Sequence, residues 1–158
     1  LLDAHDRLLE RTSADGRVLV PGDGGGVQVV VDAWDQVDGN LARRRLGLHR
    51  VGWQILAADG SMLPGHTRPM MNIDFSRMPA HPGAKVAYAA NSGITVHGAA
   101  RPRFLYVANN HVRAAEMAVT PWQPGALPPG DYLIRVFGED ASGNQATGPR
   151  DLPIRITP

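Results

Sequence analysis

The sequence predicts an all-β fold, a single domain over residues 1–158 built from short antiparallel strands with little helix. Eighteen Gly and thirteen Pro are spread along the chain, which leaves no room for long helices. Apolar residues alternate with polar ones in six short segments. Turn-forming clusters separate those segments at regular spacing, the signature of a sandwich or a barrel.

Residues 1–16 have two readings. Leu1, Leu2, His5, Leu8 and Leu9 stand at helical spacing, and a hairpin turning at "AHD" accounts for them equally well. "VQVVVDAW" then places Val27, Val29, Val31 and Ala33 on one face, with Gln28, Asp32 and Trp34 on the other. In "VGWQIL", Val51, Trp53 and Ile55 alternate with Gly52 and Gln54. "MNIDF" sets Met71, Ile73 and Phe75 against Asn72 and Asp74, and "ITVHG" sets Ile94 and Val96 against Thr95 and His97. "RFLYVA" is a strand whose inward face the pattern leaves open. "VRAAEMAV" is rich in helix formers and reads as one short helix. In "YLIRV", Tyr132, Ile134 and Val136 oppose Arg135. In "LPIRI", Leu152, Ile154 and Ile156 oppose Pro153 and Arg155. Pro153 has no N–H for a ladder, so this strand is expected at an edge or with that position turned outward. The turns between are "PGDGGG", "ADGS", "PAHPGA", "NSG", "LPPGD" and "DASGN".

Composition fits a globular chain, with 43% hydrophobic and 20% charged residues. Sixteen basic residues against fifteen acidic leave a net charge of +1, so no field of one sign draws nucleic acid or an anionic membrane. There is no Cys, which removes disulfides and thiolate chemistry. No apolar run approaches membrane-spanning length. "LLDAHDRLLE" lacks the layout of a signal peptide, and so abrupt a start suggests a mature or excised piece.

One echo is internal: "VVVDAWDQVDGN" and "LIRVFGEDASGN" both run from a strand into acidic residues and end in Gly-Asn. It reads as one strand-end solution used twice, not as a repeat array.

"LPPGDYLIRVFGEDASGN" resembles the penultimate strand of fibronectin type III and related immunoglobulin-like domains. In such a strand, an inward Tyr132 buries its ring and its hydroxyl needs a backbone partner at the preceding turn. Gly143 supplies a positive φ, and Asp140 and Ser142 cap the turn through local hydrogen bonds. "GNQATGPRDLPIRI" looks like the closing strand of bacterial extracellular modules of this type. "VVVDAWDQVDGN", "RRLGLHRVGWQIL", "NSGITVHG" and "RDLPIRI" together look like the β-sandwich modules that accompany lysostaphin-type zinc peptidases in secreted bacterial proteins. The resemblance implies an antiparallel immunoglobulin-like β-sandwich in an extracytoplasmic protein. The chain is long for that fold, so extra strands or long loops are expected between residues 57 and 125.

Asp32, Asp35 and Asp38, followed by Gly39 and Asn40, are calcium candidates, but D-x-x-D-x-x-D-G is not the spacing of a helix–loop–helix calcium site. The six His, at 5, 49, 66, 81, 97 and 111, never pair as H-x-H or H-E-x-x-H, so no zinc is expected. Ser61 and Ser92 lie in no nucleophile elbow. "PGDGGG" lacks a following Gly-Lys and reads as a hairpin loop, not a phosphate cradle. Arg43–Arg45 reads as a solvated basic loop. Trp34, on an outer face, and Trp122, in the loop "TPWQPG", are the candidates for stacking a sugar, whereas Trp53 points into the core.

These features predict a non-catalytic spacer or docking module with no cofactor. Its partners would be other domains of the same polypeptide or cell-envelope components, with neither nucleic-acid binding nor membrane insertion. A glycan-binding module using Trp34 or Trp122 is the alternative, and an enzyme with a dispersed site is the third reading.

Overall fold

The computed structural model describes residues 1–42, 44–77, 81–90, 92–93 and 103–158. Among the described residues are nine strands: β1 Val18–Pro21, β2 Val30–Asp32, β3 Arg50–Ala57, β4 Met70–Asp74, β5 Leu105–Val107, β6 His111–Arg113, β7 Glu116–Ala118, β8 Gly130–Glu139 and β9 Asp151–Thr157. One α-helix, α1 His81–Ala87, and a 3-10 turn at Pro124–Ala126 complete the elements. The fold is all-β with little helix.

Seven strands form the larger sheet in the order β1-β9-β8-β3-β4-β6-β7, and β2 pairs with β5 in a second, smaller sheet. Five of the seven ladders are antiparallel; β1–β9 and β4–β6 are parallel. Connectivity explains both exceptions. The β8–β9 hairpin leaves the outer edge of β9 open, and β1 covers it. Between β4 and β6 run α1 and β5, a crossover long enough to bring the chain back in the same direction.

The main core lies between the sheets. Val51, Trp53, Ile55, Ile134, Ile154 and Ile156 from the larger sheet meet Val27, Val29 and Tyr106 from the other side. Strand β3 is buried on both faces, because the segment 62–70 covers its second face, where Gln54 Nε2 donates to the His66 carbonyl at 2.7 Å.

Several expectations take a different form in the fold. Residues 1–9 make the hairpin, not the helix: Leu2 bridges Leu8, and Leu9 N–H donates to the Leu1 carbonyl at 3.0 Å. "VRAAEMAV" is no helix but the β6–β7 hairpin, turned at Ala114 with φ 52°; pairing with β4 outweighs local propensity. The helix sits instead in "PAHPGA", read as a turn. Pro82 falls in its first turn, where no N–H is needed, and fully buried Ala87 seats it on the core.

Strand β4 carries a second correction, a bulge. Val51 pairs with Ile73 but Trp53 pairs with Met70, so two residues of β4 oppose Gly52. Met70, and not Met71, therefore joins the core beside Ile73. Strand β9 lies inside the sheet, not at its edge. Val136 N–H donates to the Arg150 carbonyl, so alternation turns the Pro153 nitrogen away from β8, and the pairing of β9 with β1 begins only at Ile154. The stretch 57–125 holds β4, α1, β5, β6 and β7. "ITVHG", with His97, lies outside the described residues, as does Arg43.

Candidate functional site

The two halves of the sequence echo face each other. Asp32–Gln36, leaving β2, and Phe137–Arg150, joining β8 to β9, form the walls of a cleft of about 520 Å³ at one end of the sandwich. Its floor is Leu48, which packs on Gly138; a Cβ there would come within 2.8 Å of Leu48 Cδ1. Leu2, bonded to Gln28, and Thr157, bonded to Gly22, lie at the opposite end.

Each wall is held by its own hydrogen bonds. The loop after β2 is closed at its neck by reciprocal backbone bonds between Asp35 and Leu46, both 2.9 Å. Gly39, at φ 75°, turns its tip, where Asn40 N–H donates to the Val37 carbonyl. On the other wall, Asp140 Oδ1 accepts the backbone N–H groups of Ser142 at 2.8 Å and Asn144 at 2.9 Å, and Oδ2 accepts Asn144 Nδ2 at 2.7 Å. Gly143 has φ 87° within that turn. The Asn144 side-chain amide and the turn N–H groups hold the Asp140 carboxyl below the usual carboxylate range. This acidic turn is thus closed on itself.

Tyr132 is buried, and its hydroxyl donates to the Pro128 carbonyl at 2.9 Å, the corner geometry expected at the start of β8. Trp53 is buried in the core. Trp34 lines the cleft and is 40% exposed; the buried Arg45 guanidinium lies 3.5 Å from its ring centroid, over one face. Arg45 is therefore no solvated loop residue. Trp122 is a correction: only 9% exposed, it packs edge-on against Trp53 at 5.7 Å and bridges Val27, so it offers no face to a sugar.

The calcium candidates do not converge. Asp32 pairs with Arg103 at 3.2 Å, Asp35 Oδ1 accepts the Gln36 N–H, and Asp38 stands exposed on the loop. Among the described residues no three His, Cys, Asp or Glu side chains come together as a metal site. His111 faces Glu116 at 3.4 Å. Ser61 closes a turn at Asp59, and Ser92, buried, donates to the Arg103 carbonyl at 2.8 Å.

A Ser, a His and an Asp do meet at the junction of β3 and β4, though in the wrong order for a relay. Ser76 Oγ donates directly to Asp74, and His49 Nε2 lies 3.5 Å from that hydroxyl. In a catalytic triad the imidazole stands between hydroxyl and carboxylate. Here Asp74 also faces Arg50 and Arg113, each at 3.5 Å. Burial raises its pKa, but the Ser76 hydroxyl and N–H, with the two Arg, bring it below the usual value. The cluster latches β4 to β3; it does not activate a nucleophile.

Sequence reasoning missed the pair Asn109–Asn110, both buried and both bonding side chain to backbone. "NN" between two strands looks like turn chemistry, and no local pattern marks it as interior. It also missed Phe137, Gln36 and Gln145 as cleft residues, although the echo between the two walls pointed to that end. No family model, curated protein or solved structure matches this chain. Among the described residues, no helix is long and apolar enough to cross a membrane.

Proposed function

We propose that this chain is a non-catalytic accessory module, an immunoglobulin-like sandwich acting as a docking domain within a secreted or cell-envelope bacterial protein. The strand order carries the reading. β9-β8-β3-β4 lie side by side opposite β2 and β5, with Trp53 buried on β3 and the Tyr132 corner opening β8, as in immunoglobulin-like sandwiches. In variable immunoglobulin domains the loops at one end do the recognising, and here such loops line a cleft remote from Leu2 and Thr157. The extracytoplasmic setting, and the kinship with modules that accompany lysostaphin-type peptidases, rest on the sequence resemblance. The partners are neighbouring domains of the same polypeptide or envelope components. The test is turnover. Purified protein incubated with bacterial peptidoglycan sacculi is expected to release no soluble fragments. Release of reducing ends or free amino groups in proportion to protein would make it an enzyme and end the reading.

A further inference from the structure

We infer that the cleft takes a neutral, hydroxyl-rich ligand, a saccharide, laid against the indole of Trp34. This rests on reading that end of the sandwich as the docking end, and it names what docks there.

The charges of the cleft argue against ionic ligands. Among the described residues, Asp32, Asp35 and Asp140 line it, against the guanidinium of Arg150, which sits 6.0 Å over the Phe137 ring. An anion would meet three carboxylates. A cation would find Asp32 already paired with Arg103, Asp140 engaged by its own turn, and one face of the Trp34 ring held by Arg45. Trp34 lines the cleft and keeps 40% of its surface exposed, and an exposed indole suits the C–H face of a sugar.

The polar groups select donors. Three amide side chains engage their NH2 groups with neighbouring loop residues: Gln36 with the Asn40 carbonyl at 3.3 Å, Asn144 with Asp140 at 2.7 Å, and Gln145 with Glu139 at 3.1 Å. Their carbonyl oxygens are acceptors, as are the lining carboxylates. Each saccharide hydroxyl carries an O–H donor that such acceptors can take. The volume, about 520 Å³, lies in the range of small-ligand sites.

Nuclear magnetic resonance titration of the chain with cellotetraose, tetra-N-acetylchitotetraose and tetragalacturonate tests this. The expected result is saturable shifts with at least one neutral probe, confined to the Trp34 indole N–H and the amides of residues 32–36 and 137–150. Trp34→Ala should weaken binding by about tenfold or more, as for an aromatic anchor. Gln36→Ala, on an exposed loop, should weaken it too and serves if the first variant does not fold. Absence of these shifts with both neutral probes overturns the inference. So does tighter binding of tetragalacturonate, or binding that neither variant weakens. Any of these would leave the accessory-module reading standing, because that reading falls only on release of fragments from sacculi.

Discussion

The side-chain carbonyl of Asn109 accepts the backbone N–H of Val29 at 2.6 Å, one residue before β2 begins its pairing with β5. Val29 returns its carbonyl to the Ala108 N–H at 2.8 Å, so a side chain extends the ladder by one bond. Asn109 Nδ2 donates to the Thr120 carbonyl at 2.7 Å, and Asn110 takes the Thr120 N–H at 3.0 Å while donating to Val86 at 2.8 Å. Asn109→Leu would strand the buried Val29 N–H, so the loss should reach about 1–3 kcal/mol. Urea melts check this; an unmoved midpoint would mean that β2 is held by other contacts.

Tyr132 anchors β8 in the same manner, through one hydroxyl on the Pro128 carbonyl. Tyr132→Phe should cost about 1–3 kcal/mol by leaving that carbonyl unpaired. Tyr132→Ala should cost about 3–5 kcal/mol, since the core cavity adds to the lost bond. Were both variants within about 0.5 kcal/mol of the parent in denaturant melts, the residue would belong to a surface site and not to a corner.

The two tryptophans proposed for sugar stacking should separate cleanly. Trp122 packs on Trp53 inside the core, so Trp122→Ala is expected to cost about 3–5 kcal/mol. Trp34 touches Arg45 at the rim, where a cation–π pair contributes about 0.5–2 kcal/mol. Calorimetric melts of the two variants should therefore rank Trp122→Ala well below Trp34→Ala; the reverse order would contradict their placement.

Period-two alternation made β3, β8 and β9 legible, because their inward faces, Val51–Trp53–Ile55, Tyr132–Ile134–Val136 and Leu152–Ile154–Ile156, all meet the core. It failed where tertiary pairing overrides local preference. "VRAAEMAV" has helix formers, yet its first part is drawn out as a strand beside β4. Met71 follows the alternation on paper, but the bulge moves the core position to Met70. Half of the cleft was legible as the echoed strand ends. What lay beyond reach was spatial: Arg45 above Trp34 across an eleven-residue step, and Asn109 beside Val29 across eighty residues. No periodicity encodes such distances.

The β4 bulge depends on Gly52. A Cβ at that position would lie 2.4 Å from the Met70 carbonyl oxygen and 2.7 Å from Met71 Sδ. Sulfur can move aside, but backbone oxygen in a paired strand cannot. Gly52→Ala should therefore cost about 1–3 kcal/mol through overpacking, and faster exchange of the Ile73 amide should accompany it as β4 loosens from β3. A variant as stable as the parent, with that amide still protected, would show that the bulge accommodates a methyl group.

Acid should loosen the large sheet through its surface carboxylates. Arg155 beside Asp131, with bonds of 2.6 and 2.9 Å, holds that carboxyl below its ordinary range. Arg135 grips Asp151 with two bonds of 2.7 Å and does the same. A carboxyl whose folded pKa is depressed contributes stability that is fully present above its unfolded value, about 3.9, and is lost as pH falls through the folded pKa. The melting temperature should accordingly stay level from neutrality to about pH 5 and decline below about pH 4. Asp151→Asn should shallow that acid limb by lowering the neutral plateau by the same small amount, small because the pair is partly exposed and screened, so that the two proteins converge at low pH. A decline already complete above about pH 5, or an acid limb identical in the variant, would show that these pairs do not govern the acid response.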